Sequence, residues 1–87
     1  MPSFKINKNL IFQKLGKEIT LFDSDKSQLI TLNETASFVL AKLKKRLDNN
    51  LIAVALTEKY SVSKSKALGD TNRIIKLLIK KQIIYPD

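Results

Sequence analysis

The sequence predicts an α+β domain in which a small antiparallel sheet comes first and three helices follow. Three observations carry this expectation. Before Asn33 the residues fall into short runs rich in branched and aromatic side chains, separated by turn-forming residues, which is the pattern of a strand meander. From Asn33 onward apolar residues recur at helical spacing. The chain has 87 residues, 44% of them hydrophobic, enough for one modest core and too few for two. Residues 1–87 are therefore expected to form a single domain, with the polar segment 1–9 partly loose and Phe4 and Ile6 able to anchor it against the body.

The strands come in order. Leu10 to Leu15 is the first, and Gly16-Lys17 supplies a two-residue hairpin loop with Gly in the first place, as a type II′ turn requires. Glu18 to Asp23 is the second strand. Ser24-Asp25-Lys26-Ser27 is turn chemistry, and Gln28 to Leu32 is the third strand. At Asn33 the period changes. Asn33 suits an N-cap, and Glu34 places a carboxylate in the positive first turn. Thr31 with Glu34 also has capping-box spacing, which would start the helix two residues earlier.

In the first helix Ala36, Val39, Leu40, Leu43 and Leu47 share a face, with Ser37, Lys42 and Lys45 read away from it and Phe38 off the apolar side, either an isolated surface aromatic or a contact on the sheet or a partner. Lys44-Lys45-Arg46 falls in the last turn, where cations suit the helix dipole. Asp48-Asn49-Asn50 breaks this helix and caps the next, residues 51–60, whose Ile52, Ala55 and Leu56 are read as facing inward. Ser63 caps the last helix, residues 64–82, with the stripe Ala67, Thr71, Ile74, Ile75 and Leu78 flanked by Leu68, Leu77 and Ile79. Gly69 inside it costs about 1 kcal/mol relative to Ala. Ile83-Ile84-Tyr85 closes the chain as an apolar tail.

The chemistry available points to binding rather than catalysis. There is no Cys and no His, which removes thiolate nucleophiles, disulfides, the usual acid–base residue and the commonest metal ligands. The eight carboxylates form no pair with glycosidase or metal spacing, and Asp23 with Asp25 belongs to a turn. Two glycines cannot build a phosphate-cradling loop. No catalytic residue, metal site or cofactor is expected. No apolar run approaches a membrane span and the N-terminus has no secretory core, so a cytoplasmic protein is expected. The net charge of +8 is compatible with nucleic acid, but lysines occur in every segment, as on a solvated surface. The strand Gln28 to Leu32 has no Pro, Lys or Gly to blunt it. It is either central or covered, or it is an edge on which an extended peptide docks.

The order of three strands, then Leu32-Asn33-x-Thr35-Ala36, resembles the PqqD family of peptide chaperones, whose fold is also known as the RiPP recognition element. The likeness continues through Ile52-x-x-x-Leu56-x-x-x-Tyr60-x-Val62, Asp70-x-x-x-Ile74-Ile75-x-x-Leu78 and Ile83-Ile84, and covers residues 11–85. It departs at Leu47-Asp48-Asn49-Asn50-Leu51, where many members have an acidic or glycine-containing turn followed by Thr or Ser. A free-standing chain of this size is similar to the discrete recognition proteins of lasso-peptide clusters and to PqqD itself.

The resemblance implies a winged helix-turn-helix domain, with a sheet of three antiparallel strands before its three helices. It also implies binding of the leader segment of a ribosomally made precursor peptide, between the third strand and the last helix. The leader is added as a strand and presented to a processing enzyme, such as a leader peptidase or a radical enzyme, with neither nucleic acid nor membrane as partner. Mapped onto this sequence, the site takes the backbone of Gln28, Leu29, Ile30, Thr31 and Leu32 and the outer flank of the last helix. On a helical wheel Asp70, Leu77 and Lys81 lie together there, with Arg73 and Lys80 beside them and Ile74 bridging to the core. The alternative is DNA binding by the same topology. Against it, a recognition helix needs exposed polar and basic side chains, and the last helix here is strongly apolar with cations gathered near its C-terminal end.

Overall fold

The structure is a computed structural model that describes residues 4–86. Eight elements follow one another: β1 (Phe4–Ile6), β2 (Leu10–Leu15), β3 (Glu18–Asp23), β4 (Gln28–Leu32), α1 (Glu34–Lys44), α2 (Asn49–Tyr60), α3 (Lys64–Lys80) and β5 (Ile84–Pro86). β2, β3 and β4 form the expected antiparallel meander, in that spatial order. At its first turn Gly16 has φ +63° while Lys17 is not among the residues with positive φ, which fits a type II′ loop. At the second turn the buried Asp23 carboxylate accepts hydrogen bonds from the Asp25 and Lys26 amides at 3.1 and 3.3 Å.

The chain ends hold a second sheet that the sequence does not announce. β1 pairs antiparallel with β5, Lys5 opposite Tyr85 and Ile6 opposite Ile84. Phe4 to Ile6 is therefore a strand rather than a loose segment, and Phe4 and Ile6 pack against the core as expected; the part of the expected loose stretch before Phe4 lies outside the described residues. Ile83 and Ile84 are fully buried, so the tail is part of the core.

One face of the meander is closed by the helices. Leu10, Ile19, Leu21 and Leu32 meet Val39, Leu40 and Leu43 of α1, Ile52, Ala53 and Leu56 of α2, and the full expected stripe of α3 in one cluster that also takes Ile83 and Ile84. In α2 it is Ala53, not Ala55, that is fully buried. The Thr71 hydroxyl, buried in the stripe, has no hydrogen-bond partner and packs as an apolar group would. No helix among the described residues is long and apolar enough to cross a membrane.

The caps fix the boundaries. Asn33 Oδ1 accepts from the Ala36 amide at 2.9 Å, so Asn33 is the N-cap and Thr31 stays in β4. Asn33→Ala should cost about 0.5–2 kcal/mol; an unchanged urea midpoint would show that this cap contributes nothing. Asp48 alone caps α2, which begins at Asn49 instead of residue 51, and Ser63 caps α3. α1 ends at Lys44 and α3 at Lys80, each slightly short of the sequence expectation, and they stop in the same way. The amides of Arg46 and Leu47 bond to Leu43 and Lys42 carbonyls, and those of Gln82 and Ile83 to Ile79 and Leu78. Both ends are Schellman motifs, with Arg46 and Gln82 at φ +62° and +60° in the place glycine usually takes.

Two residues of α1 differ from their sequence reading. Ser37, read as pointing away from the core, is buried. Its hydroxyl accepts from the Ile19 amide at 2.9 Å and donates to the Leu32 carbonyl at 3.1 Å, splicing the helix into the end of the β3–β4 ladder. Phe38, read as an off-face aromatic, is half-buried and meets Tyr60 edge-on at 6.0 Å, with the ammonium groups of Lys42 and Lys59 over its ring. The Tyr60 hydroxyl donates to Glu34 at 2.8 Å, tying the end of α2 to the start of α1. Burial, reinforced by that carboxylate, raises the Tyr60 pKa above the ordinary phenol value.

Candidate functional site

Among the described residues β4 is the outer strand of its sheet, with β3 on one side and no strand on the other. Which backbone groups are left over follows from Ser37. Because its hydroxyl bridges the Ile19 amide and the Leu32 carbonyl, those two residues turn their backbone groups toward each other. Antiparallel pairs alternate, so Leu21 with Ile30 and Asp23 with Gln28 do the same. The amides and carbonyls of Leu29 and Thr31 then point away from β3, along the open edge.

Beside that edge runs a groove of about 260 Å³ between β4 and the C-terminal half of α3. Gln28 and Ile30 form its strand wall, Leu77, Lys80 and Lys81 its helix wall, and Lys26 of the preceding turn closes one end. Leu77 is 41% exposed although it adjoins the buried stripe, so its side chain gives the floor an apolar surface open to solvent. Lys26, Lys80 and Lys81 put three cations around it, and no described carboxylate lines it. The arrangement suits an extended peptide with an apolar anchor and acidic neighbours. It holds no set of groups suited to acid–base or nucleophilic chemistry.

The residues named from the sequence divide by position. Gln28, Ile30, Leu77, Lys80 and Lys81 come together in the groove. Leu29 and Thr31 contribute edge backbone, while their side chains leave on the outer face of the sheet. Leu32 and Ile74 are buried in the core. Arg73 lies one helical turn before Leu77 on the same flank, outside the groove lining. Asp70 is a further turn back and engages Arg73 at 3.2 Å and Lys66 at 3.7 Å. The sequence places Lys26 only in a turn. Its place beside α3, where its ammonium group meets the Gln82 side chain, arises from the packing of the hairpin and has no signal in the local sequence.

The chain belongs to the PqqD family: the profile described as coenzyme PQQ synthesis protein D (PqqD) matches residues 18–84. Two solved structures share its fold. One is described as lasso peptide synthetase B1 complexed with the leader peptide, with a TM-score of 0.88 at 20% identity over 97% of this chain and 99% of that one. The other is TbiB1 in complex with the TbiA(beta) leader peptide, with a TM-score of 0.84 at 20% identity over 95% and 99%. No curated protein matches the sequence.

Proposed function

We propose that this protein binds the leader segment of a ribosomally synthesised precursor peptide as an added strand on β4, and presents it to a processing enzyme. The observation that carries the reading is the unpaired β4 edge beside a groove with an apolar floor and cationic rim. The family and the fold shared with two leader-peptide complexes support it. So does the chemistry: with neither Cys nor His, the chain is suited to holding a substrate that another protein transforms. The likeness to lasso peptide synthetase B1 supports a lasso-peptide setting; the receiving enzyme we propose is a leader peptidase there, or a radical enzyme in a PqqD-like setting.

Leu29 and Thr31 each offer one amide and one carbonyl, so strand addition forms up to four backbone hydrogen bonds. At about 0.5–1.5 kcal/mol net each, these offset part of the cost of ordering the peptide, and the groove supplies the rest together with specificity. The test is a scan of N-methylated leaders, read by fluorescence anisotropy. Binding should be lost only where methylation removes an amide facing Leu29 or Thr31, giving losses at every second position across a short window. If no position responds, or if binding falls with salt as steeply as a phosphate-dominated complex does, strand addition at β4 is wrong.

A further inference from the structure

A second cleft lies elsewhere, and shares no residue with the groove. It measures about 590 Å³ and lies between the β1–β5 ribbon and the C-terminal end of α1. Lys5, Lys8, Lys44 and Arg46 line it, and no described carboxylate does. Between these cations the lining is apolar, from Phe4, Ile6, Leu43 and Tyr85. Lys44 is held in place, its ammonium group 4.0 Å from the centre of the Phe12 ring. All three residues of β1 take part, and β1 has β5 on one side only.

We infer that this cleft is a second peptide-docking site, for an acidic segment with interspersed apolar side chains, carried by the enzyme that receives the leader. The partner's identity as that enzyme rests on the proposed function; the chemistry of the cleft does not. Charge complementarity selects the occupant. A second copy of this chain would bring a net charge of +8 against the same sign. A bare phosphate would leave the apolar half of the lining unused, and a nucleic-acid backbone would do so too. An acidic, partly apolar segment satisfies both halves, and an extended one has the open side of β1 to run along. Placing enzyme and leader on separate surfaces allows both to be held at once, which raises the effective concentration of one for the other.

The test uses the full, isotope-labelled chain and a short synthetic peptide alternating Glu with Phe, with the same peptide carrying Lys for Glu as control. Amide shifts should move at residues 4–9, 43–46 and 85 with the acidic peptide alone, leaving Gln28–Leu32 undisturbed. The double variant Lys8→Glu, Arg46→Glu should weaken that binding about tenfold or more while leaving leader affinity within about twofold. Shifts that avoid the cleft, equal binding of the Lys peptide, or displacement of the acidic peptide by a short DNA duplex would each overturn the inference. Loss of leader binding by the wild-type chain with the cleft still responding would overturn the proposed function and leave the cleft standing.

Discussion

Leu77→Glu is expected to abolish leader binding while leaving the fold intact. Leu77 forms the apolar floor of the groove and is exposed enough that its replacement opens no core cavity. In the free protein a carboxylate there is solvated, and it falls at helical spacing from Lys80 and Lys81, which tolerates or slightly favours it. In the complex the same carboxylate must be buried against the leader's apolar anchor, or displace it. Burying an imperfectly paired charge at the centre of an interface costs about 3 kcal/mol or more, roughly a hundredfold in affinity. Anisotropy with a labelled leader should therefore show no saturable binding in the range where the wild type saturates. The urea midpoint should correspond to a stability change within about 0.5 kcal/mol. Undiminished affinity would remove Leu77 from the site. Lost binding with a collapsed midpoint would mean that Leu77 belongs to the core.

The largest expected effect on stability is that of Ser37→Ala. Its hydroxyl is the shared partner of the Ile19 amide and the Leu32 carbonyl, all of them buried. Alanine leaves a donor and an acceptor unsatisfied at about 1–3 kcal/mol each, so a loss of about 2–6 kcal/mol is expected. For a domain whose whole stability is about 5–15 kcal/mol, that is a large fraction. Equilibrium denaturation measures the loss, and hydrogen exchange at the Ile19 amide should accelerate beyond what the global change explains. A loss below about 0.5 kcal/mol would show that the two strands close over the gap and bond directly.

These two residues also mark what the sequence does and does not disclose. The three meander strands, the Asn33 cap and the α3 stripe are legible because each is written in local chemistry: branched runs between turns, an Asx side chain at a change of period, and apolar residues at helical spacing. The exposed flank of Leu77 follows from the same wheel. Ser37 is not legible, since a serine beside an apolar stripe looks solvated until its partners from β3 and β4 arrive. The β1–β5 ribbon is hidden for a related reason. Each strand is three residues long, and its partner lies at the other end of the chain, with no turn between them to announce the pairing. At the groove the sequence indicates the strand and the helix that the fold brings side by side. It cannot say that Asp70 is held by Lys66 and Arg73, that Ile74 is buried, or that Lys26 reaches the end of α3, because each depends on how separate elements pack.

The ribbon also bears on the order in which the domain assembles. Pairing Phe4 with Pro86 closes a loop around nearly the whole described chain. That closure loses the most chain entropy of any contact in the molecule, and returns three residue pairs of ladder, the burial of Ile84 and the hydrogen bond from Asn7 to the Gln82 carbonyl just past α3. The meander and the helices can form without it, since their contacts are mostly between neighbours in sequence. The ribbon is then expected to close late, as Ile84 enters a core the other elements have gathered. The cleft it lines is consequently a late-formed surface, present only on chains whose two ends have met.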